Sequence, residues 1–191
     1  GFYTKAELQT AMFRRTHRKD IRTAPIDTEI SGRFYQMRAI KSIAAHFAGN
    51  DKTDGKLIGT NRGALLVLAT GTGKTRTAVA FSKLLLECNW AKRILFLADR
   101  VSLVEQAMNN SFKKFLPEHT CVNLLEEKDN PDARFAFSTY QTMMGLIDRN
   151  RDEEARFYGV GHFDLIIIDE AHRSIYKKYQ AIFNYFDALF L

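Results

Sequence analysis

Two short segments of the sequence combine residue types that bind phosphate groups and metal ions. The first, Leu68–Thr75, reads Leu-Ala-Thr-Gly-Thr-Gly-Lys-Thr and offers glycines, a lysine and a hydroxyl group. The second, Ile166–His172, reads Ile-Ile-Ile-Asp-Glu-Ala-His and offers two adjacent carboxylates. Each segment contains or follows a run of apolar, strand-like residues. Together, in this order along the chain, they predict a site for ATP and Mg²⁺.

The glycine-rich segment has the composition of a phosphate-binding loop. A turn between a strand and a helix aims several backbone N–H groups at one point, where the helix N-terminus adds a partial positive charge. The full pattern of glycine, four residues and Gly-Lys-Ser/Thr is not met, because its first glycine falls at Leu68. The alternative is a glycine-rich turn with an exposed lysine. The predicted nucleotide contacts are Thr70, Gly71, Thr72, Gly73, Lys74, Thr75 and the adjoining Arg76.

Within this loop the residue types suggest separate roles. Gly71 and Gly73 permit the backbone angles and the close approach that a phosphate requires. Lys74 can reach the outer phosphates, and the Thr75 hydroxyl can hold Mg²⁺.

The acidic segment follows an apolar strand, so its carboxylates are expected at the carboxyl edge of a sheet, where ligands bind in parallel sheets. Asp169 can hold Mg²⁺ together with Thr75, and Glu170 can orient or deprotonate the attacking water. His172 could couple this site to its surroundings. A histidine satisfied by local hydrogen bonds is an equally good interpretation of His172.

Composition limits the other possibilities. A length of 191 residues and a hydrophobic fraction of 46% favour one folded core, with room for an additional arm. The apolar runs are too short to span a bilayer and no signal segment opens the chain, which predicts a cytoplasmic protein without membrane contact. Cys88 and Cys121 have no ligand-like spacing and are expected to be ordinary reduced thiols.

Part of the net charge of +6 is concentrated near the N-terminus, in residues 14–22. Such an excess favours contact with a polyanion, but a solvated basic face explains it almost as well. The chain starts at Gly1 rather than methionine and stops at Leu191 within an apolar run. We therefore expect it to be part of a longer protein.

Strand-like and helix-like segments alternate around the two motifs. This alternation, with near-continuous apolar strands, predicts an α/β fold in which helices cover both faces of a parallel sheet. Residues 1–30 are interpreted as a connector or basic arm, and residues 31–191 as the lobe itself. Predicted strands are Ala64–Leu68, Arg93–Ala98, Cys121–Leu125, Arg134–Ser138 and Asp164–Asp169; predicted helices are Thr4–Phe13, Phe34–Phe47, Lys74–Glu87, Ser102–Phe115, Tyr140–Ile147 and Ile175–Leu189; predicted loops are Gly49–Gly63 and Asp148–Gly161.

These motifs resemble the superfamily 2 DEAD/DEAH helicases over residues 33–187. Asp-Glu-Ala-His at residues 169–172 matches the box that names them, and the phosphate loop matches their first motif. Arg33-Phe34-Tyr35-Gln36 resembles their adenine-recognising glutamine motif. Residues 96–100, Phe-Leu-Ala-Asp-Arg, and residues 138–142, Ser-Thr-Tyr-Gln-Thr, resemble motifs that contact nucleic-acid backbone. The combination of Leu-Ala-Asp-Arg with Asp-Glu-Ala-His-Arg-Ser is most similar to the motor of type I restriction enzymes, in their R subunit.

The resemblance implies a single RecA-like lobe, incomplete at its C-terminal end, of an ATP-dependent DNA translocase. It implies ATP and Mg²⁺ as cofactors, with Arg33 and Gln36 at the adenine. Arg100, Thr139 and Gln141 would contact the backbone of double-stranded DNA without reading sequence, although helix capping or solvation is the ordinary role of such residues. The expected partners are a second RecA-like lobe and a nuclease domain of the parent chain, and modification and specificity subunits.

The same resemblance limits the activity expected of the isolated chain. The chain lacks the second lobe with its arginines, and an arginine finger is worth roughly 10³–10⁵ in turnover. We therefore expect the isolated chain to bind ATP weakly and to hydrolyse it very slowly. The alternatives are a superfamily 2 helicase acting in DNA repair or on RNA, and a nucleotide-switched binding module without turnover.

Overall fold

The computed structural model describes residues 2–49, 61–127, 130–148, 158–171 and 177–191. Within these residues, five strands form one parallel sheet in the order β2-β3-β1-β4-β5. The strands are β1 (Ile94–Ala98), β2 (Cys121–Asn123), β3 (Phe135–Thr139), β4 (Leu165–Ile168) and β5 (Leu189–Phe190). The helices are α1 (Lys5–His17), α2 (Phe34–Ala48), α3 (Lys74–Glu87), α4 (Val101–Ala107), α5 (Lys113–Phe115), α6 (Tyr140–Ile147) and α7 (Gln180–Tyr185), and a π-helical turn, Met108–Phe112, joins α4 to α5.

Both faces of the sheet are buried, which explains why its strands are almost continuously apolar. Side chains alternate between the faces of a strand. In β1, Ile94 and Phe96 belong to the core formed with α2, α3 and the α4–α5 segment. Leu95 and Leu97 belong to a second core, formed with α6 and α7. The predicted α/β fold with a helix-covered parallel sheet is confirmed.

The register brings the ends of three strands to one edge of the sheet. Ala98, the last residue of β1, pairs with Thr139, the last residue of β3. Leu97 pairs with Ile168, the last residue of β4. The residues that follow β1, β3 and β4 therefore meet at the carboxyl edge.

The strand predicted at Ala64–Leu68 is wrong in the structure. Only Gly63 forms a bridge, parallel to Phe190 of β5, and the next residues leave the sheet. Leu65 and Val67 are 74% and 81% exposed. A strand-like composition alone therefore does not place this segment in the sheet.

The helix predicted at Ile175–Leu189 is also wrong in its second half. Helix α7 ends at Tyr185, Phe186 is extended, and Leu189 lies in β5 beside Leu165. The pairing of the sheet overrides the helical spacing of the apolar residues. Residues 175 and 176 lie outside the described residues, as does most of the two predicted loops.

The N-terminal segment packs on the lobe. Helix α1 extends four residues beyond its predicted end, to His17, and a capping box at Thr4 and Glu7 fixes its start. Ile21 and Ile30 belong to the main core. The division at residue 30 stays a prediction. Among the described residues, no helix is long and apolar enough to cross a bilayer.

Candidate functional site

The glycine-rich segment forms a tight turn directly before α3. Gly71 and Gly73 have φ angles of 79° and 88°, in the left-handed region that favours glycine. The N–H and the hydroxyl group of Thr72 both donate to the carbonyl of Ala69, at 3.3 and 2.6 Å. Helix α3 then begins at Lys74, so the positive end of its dipole lies at this turn. The predicted succession of loop and helix is therefore present, although the preceding strand is not.

Gln36 and Tyr35 hold the turn from outside. Gln36 is 3% exposed, and its Nε2 donates to the carbonyl of Thr72 at 2.9 Å. Its Oε1 accepts from the N–H of Arg33, and the Tyr35 hydroxyl donates to the same Thr72 carbonyl at 3.0 Å. A methyl group on Gly73 would lie 2.6 Å from Gln36 Nε2. Glycine at 73 is thus required by the backbone angle and by the contact with α2.

The two ends of the glycine-rich segment, Leu68 and Lys74–Thr75, line one cavity of about 700 Å³ together with the acidic segment. Lys74 and Thr75 border it from α3, and Asp169 and Glu170 border it from the end of β4. The structure therefore brings together the two segments that lie almost a hundred residues apart in the sequence. The rest of the wall is largely apolar and comes from residues 63–68, from Phe96, Ala78, Ile167 and Ile168, and from Ala171, Phe190 and Leu191.

Two hydrogen bonds to the backbone of Asp169 fix the end of β4. The N–H of Asp169 donates to the carbonyl of Leu97 at 2.9 Å, and the carbonyl of Asp169 accepts from the Tyr140 hydroxyl at 2.7 Å. Glu170 follows with a φ of 55°, which is uncommon for a residue other than glycine. Its side chain is exposed at the mouth of the site.

The electrostatics at Asp169 suit a bound cation. Burial raises the pKa of Asp169, the Glu170 carboxylate raises it further, and Lys74 lowers it. A divalent ion would relieve the free-energy cost of holding two adjacent carboxylates in their charged form. The described residues contain no cluster of three or more His, Cys, Asp or Glu side chains that could hold a metal. The Thr75 hydroxyl and the Asp169 carboxylate are donors of the kind that binds Mg²⁺ together with phosphate oxygens and water, and a bound Mg²⁺ ion stays a prediction.

Two arginines predicted at the nucleotide have protein partners. Arg33 donates to the Tyr35 hydroxyl at 2.7 Å. Arg76 donates to the carbonyls of Glu29 and Ile30, both at 2.8 Å, and its guanidinium lies 4.7 Å from the centroid of the Phe115 ring. Arg76 thus ties α3 to neighbouring segments, and a contact with nucleotide stays a prediction for both arginines, as it does for Thr70.

The three residues predicted to contact nucleic acid lie at or beside the carboxyl edge. Arg100 is exposed and caps α4 with its backbone only. Thr139 is 7% exposed, and its hydroxyl caps α6 by accepting from the N–H of Thr142 at 3.2 Å. Gln141 is exposed on the first turn of α6. The capping role is thus present for Thr139. His172 lies outside the described residues.

The contacts made by Tyr140 and Tyr35 could not be predicted from the sequence. Tyr140 belongs to the Ser-Thr-Tyr-Gln-Thr motif, yet its ring is fully buried and its hydroxyl group donates to the backbone of the acidic segment. Burial raises the pKa of Tyr140, and the carboxylates of Asp169, Asp99 and Glu170 raise it further. No spacing along the chain signals a contact between residues 140 and 169.

The basic segment at residues 14–22 lies at the opposite edge of the sheet. Arg14 forms an ion pair with Asp164, the residue before β4. Arg18 lies 4.5 Å from the centroid of the Trp90 ring, and burial lowers its pKa. Arg22 pairs with Asp20 at 2.7 Å. Several basic residues of this segment therefore contact other parts of the chain and do not simply face solvent.

Comparisons with known proteins match this chain to restriction-enzyme subunits. Residues 29–191 match the ResIII family, described as "Type III restriction enzyme, res subunit". The endonuclease subunit of the type I restriction enzyme EcoAI from Escherichia coli is 36% identical over 164 residues. The corresponding subunit of EcoKI, also from Escherichia coli, is 32% identical over 150 residues. These alignments cover 83% and 77% of this chain but only 18% and 12% of the relatives, so the chain spans less than a fifth of their length.

A solved structure has a similar fold. It is a nuclease-deletion mutant of the Type ISP restriction–modification enzyme LlaGI, determined in complex with a DNA substrate mimic. The TM-score is 0.55 at 24% identity, and the match covers 82% of this chain and 16% of that chain. This neighbour agrees with the predicted α/β fold.

Proposed function

The chain belongs to the ResIII family of restriction-enzyme subunits, and from this membership we propose that it is the first motor lobe of an ATP-dependent DNA translocase. The observation that carries the proposal is the shared cavity, in which Lys74 and Thr75 face the end of β4 with Asp169 and Glu170. The similarity to type I endonuclease subunits supports the R subunit of a type I enzyme as the parent protein.

Each residue of the site has a role that its position supports. The backbone N–H groups at the start of α3 would bind the phosphates, and Lys74 would neutralise their outer oxygens. The Thr75 hydroxyl and the Asp169 carboxylate would hold Mg²⁺. When bound, Mg²⁺–ATP supplies the phosphoryl group that is transferred to water. Glu170, exposed beside Asp169, would orient that water and accept its proton.

The adenine would be recognised near α2. Gln36 already contacts the phosphate loop through the Thr72 carbonyl, so its amide is held next to the site. Among the described residues, the donor to its carbonyl oxygen is the Arg33 N–H at 3.3 Å, a long hydrogen bond that an adenine amino group could supplement. Arg33 and the exposed Phe34 ring would lie on the same side.

DNA would bind along the carboxyl edge. Arg100 follows β1 and Gln141 follows β3, and these two strands are neighbours in the sheet. An exposed guanidinium and an exposed amide can contact phosphates without reading the bases. The structural neighbour was determined with a DNA substrate mimic, which supports DNA as the polymer. A second lobe, a nuclease domain, and modification and specificity subunits are the partners we propose for the parent protein.

Binding and turnover can be tested separately. In the full-length protein, Lys74→Ala should weaken Mg²⁺–ATP binding at least tenfold by calorimetry, or about 1.4 kcal/mol. Lys41→Ala, which changes an exposed lysine of α2 outside the cavity, is the matched control and should leave binding unchanged. Glu170→Gln should keep binding and abolish DNA-stimulated hydrolysis. Unchanged affinity in Lys74→Ala would refute the proposal, and full turnover in Glu170→Gln would remove Glu170 from its role.

A further inference from the structure

Each of the two peptide units that flank the Asp169 Cα atom is held by a hydrogen bond. On one side, the N–H of Asp169 donates to the Leu97 carbonyl of β1. On the other, the Tyr140 hydroxyl donates to the carbonyl of Asp169 at 2.7 Å. That carbonyl belongs to the peptide unit that joins Asp169 to Glu170. The orientation of this unit therefore decides where the Glu170 side chain leaves the backbone.

Glu170 needs such support because its backbone is in an unfavourable conformation. Its φ of 55° lies in the left-handed region, which residues with a Cβ rarely adopt. Conformations of this kind persist when the surrounding structure imposes them. Of the hydrogen bonds described for the Asp169 backbone, the one from Tyr140 comes from a side chain and can be removed by a substitution.

Tyr140 is itself rigidly placed. Its ring is fully buried and stacks on Tyr179, with the ring centroids 5.0 Å apart and the planes 16° apart. It is also the first residue of α6, directly after the capping residue Thr139 and directly before the exposed Gln141. One residue thus belongs to the segment at the proposed DNA surface and contacts the backbone of the proposed catalytic carboxylate.

We propose that Tyr140 is a positioning residue that sets the orientation of Glu170 and transmits the placement of the Thr139–Gln141 segment to it. The inference rests on the proposed function, since it assigns a route by which DNA contact reaches the hydrolytic site. A movement of the start of α6 would shift the phenol and with it the Asp169 carbonyl. The angle of Glu170 to the attacking water would then change, while the phosphate loop would be unaffected.

The test removes only the hydroxyl group. Tyr140→Phe is made in the full-length protein, purified with its native partner subunits, and its ATPase is measured with and without long duplex DNA. The kcat of DNA-stimulated hydrolysis should fall at least tenfold, while KM for ATP and calorimetric Mg²⁺–ATP affinity stay within twofold. The loss of a purely structural residue would not lower kcat while leaving KM for ATP unchanged.

Tyr185→Phe is the matched control, because the Tyr185 hydroxyl also donates to a backbone carbonyl, that of Tyr158 at 2.5 Å, away from the cavity. It should keep kcat within twofold of the unmodified protein. Tyr179→Leu, which removes the stacked ring but keeps the Tyr140 hydroxyl, should lower DNA-stimulated kcat severalfold. This second variant carries the test if Tyr140→Phe does not fold.

The outcomes separate this inference from the function on which it rests. If the unmodified protein hydrolyses ATP with DNA and Tyr140→Phe does so equally well, the positioning role is wrong and the proposed function stands. Equal losses of kcat in Tyr140→Phe and Tyr185→Phe would also overturn it. An unmodified protein that shows no DNA-stimulated hydrolysis would overturn the proposed function, and the inference with it.

Discussion

Two aspartates bracket the same strand, β4, and their surroundings differ in every respect that matters for function. Asp164 precedes the strand and accepts from the N–H groups of Lys92 and Arg93 at 2.7 and 3.0 Å, and it forms an ion pair with Arg14. Asp169 follows the strand and lies beside another carboxylate, Glu170. The first charge is fully compensated by the protein. The second charge is offset only in part, by Lys74 and by the backbone N–H of Glu170.

The difference extends from the two residues to the two edges of the sheet. At the amino edge, Arg14 of α1 forms an ion pair with Asp164, and the Arg18 guanidinium lies over the Trp90 ring, so positive charges contact a carboxylate and a ring of the same chain. At the carboxyl edge, two glycines have left-handed backbone angles, and Lys74 and Asp169 line the same cavity. The amino edge is built for stability, whereas the carboxyl edge keeps unfavourable features that a bound nucleotide would relieve.

Removing the compensated charge should have the largest effect on stability. Asp164→Asn leaves Arg14, whose side chain is 13% exposed, without its ionic partner. It also replaces a charged acceptor of two backbone N–H groups with a neutral one. Breaking a buried ion pair typically costs 3–5 kcal/mol, so we expect a loss of about 3 kcal/mol in the free energy of unfolding. Urea unfolding of the chain measures it.

Asp169→Asn is the control for this prediction, because it makes the same chemical change at the other end of β4. It should not lower the stability of the chain in metal-free buffer. Equal losses in the two variants would mean that the edges do not differ as described.

A pair of glycines provides a second comparison of the edges. Gly73→Ala at the carboxyl edge imposes a Cβ on a φ of 88° and places it 2.6 Å from Gln36 Nε2. We expect a loss of about 1–2 kcal/mol in the free energy of unfolding, together with weaker Mg²⁺–ATP binding. Urea unfolding and calorimetry measure the two effects.

Gly159→Ala is the matched change at the amino edge. There the added Cβ would meet the carboxylate of Glu7, the far end of a flexible side chain, and the backbone angle is ordinary. Its cost should stay at about 0.5–1 kcal/mol, because the flexible Glu7 side chain can move and only its capping hydrogen bond to the Thr4 N–H is lost. A larger loss at residue 159 than at residue 73 would contradict the view that backbone strain is concentrated at the carboxyl edge.

The sequence predicted the carboxyl edge better than the amino edge for a physical reason. The site depends on local patterns: a glycine turn that begins a helix at Lys74, and an apolar strand that ends at Asp169. Such patterns are visible within about ten residues. The amino edge depends on contacts between distant residues, such as Arg14 with Asp164, and the basic segment gave no sign of them.

The failed element predictions have the same origin. The segment Ala64–Leu68 has the composition of a strand, but a strand needs a neighbour, and only the adjoining Gly63 bridges to the sheet, opposite Phe190. The apolar residues after Ile175 recur at helical spacing, yet Leu189 pairs with Leu165 of β4 and lies in the sheet. The contact of Tyr140 with Asp169 likewise arises from the order of the strands, which composition does not encode.

The smallest expected effect is a gain in stability at the carboxyl edge, in Asp169→Asn. Burial and Glu170 raise the pKa of Asp169 above its ordinary 3.8, so the folded chain binds this proton more tightly than the unfolded chain does. The contribution of Asp169 to stability is therefore fully present below pH 3.8 and is lost as the pH rises through the raised pKa. Asparagine does not ionise and avoids this loss.

In metal-free buffer at neutral pH, Asp169→Asn should thus be more stable than the unmodified chain, by less than about 1 kcal/mol because the carboxylate is partly solvated. The melting temperature would rise by at most about 2–4 °C. The advantage should shrink as the pH falls towards 4, and Mg²⁺–ATP should reverse its sign by stabilising only the unmodified chain. An advantage that is constant with pH would show that Asp169 is already compensated within the protein, as Asp164 is, and would remove the main electrostatic argument for a cation at the end of β4.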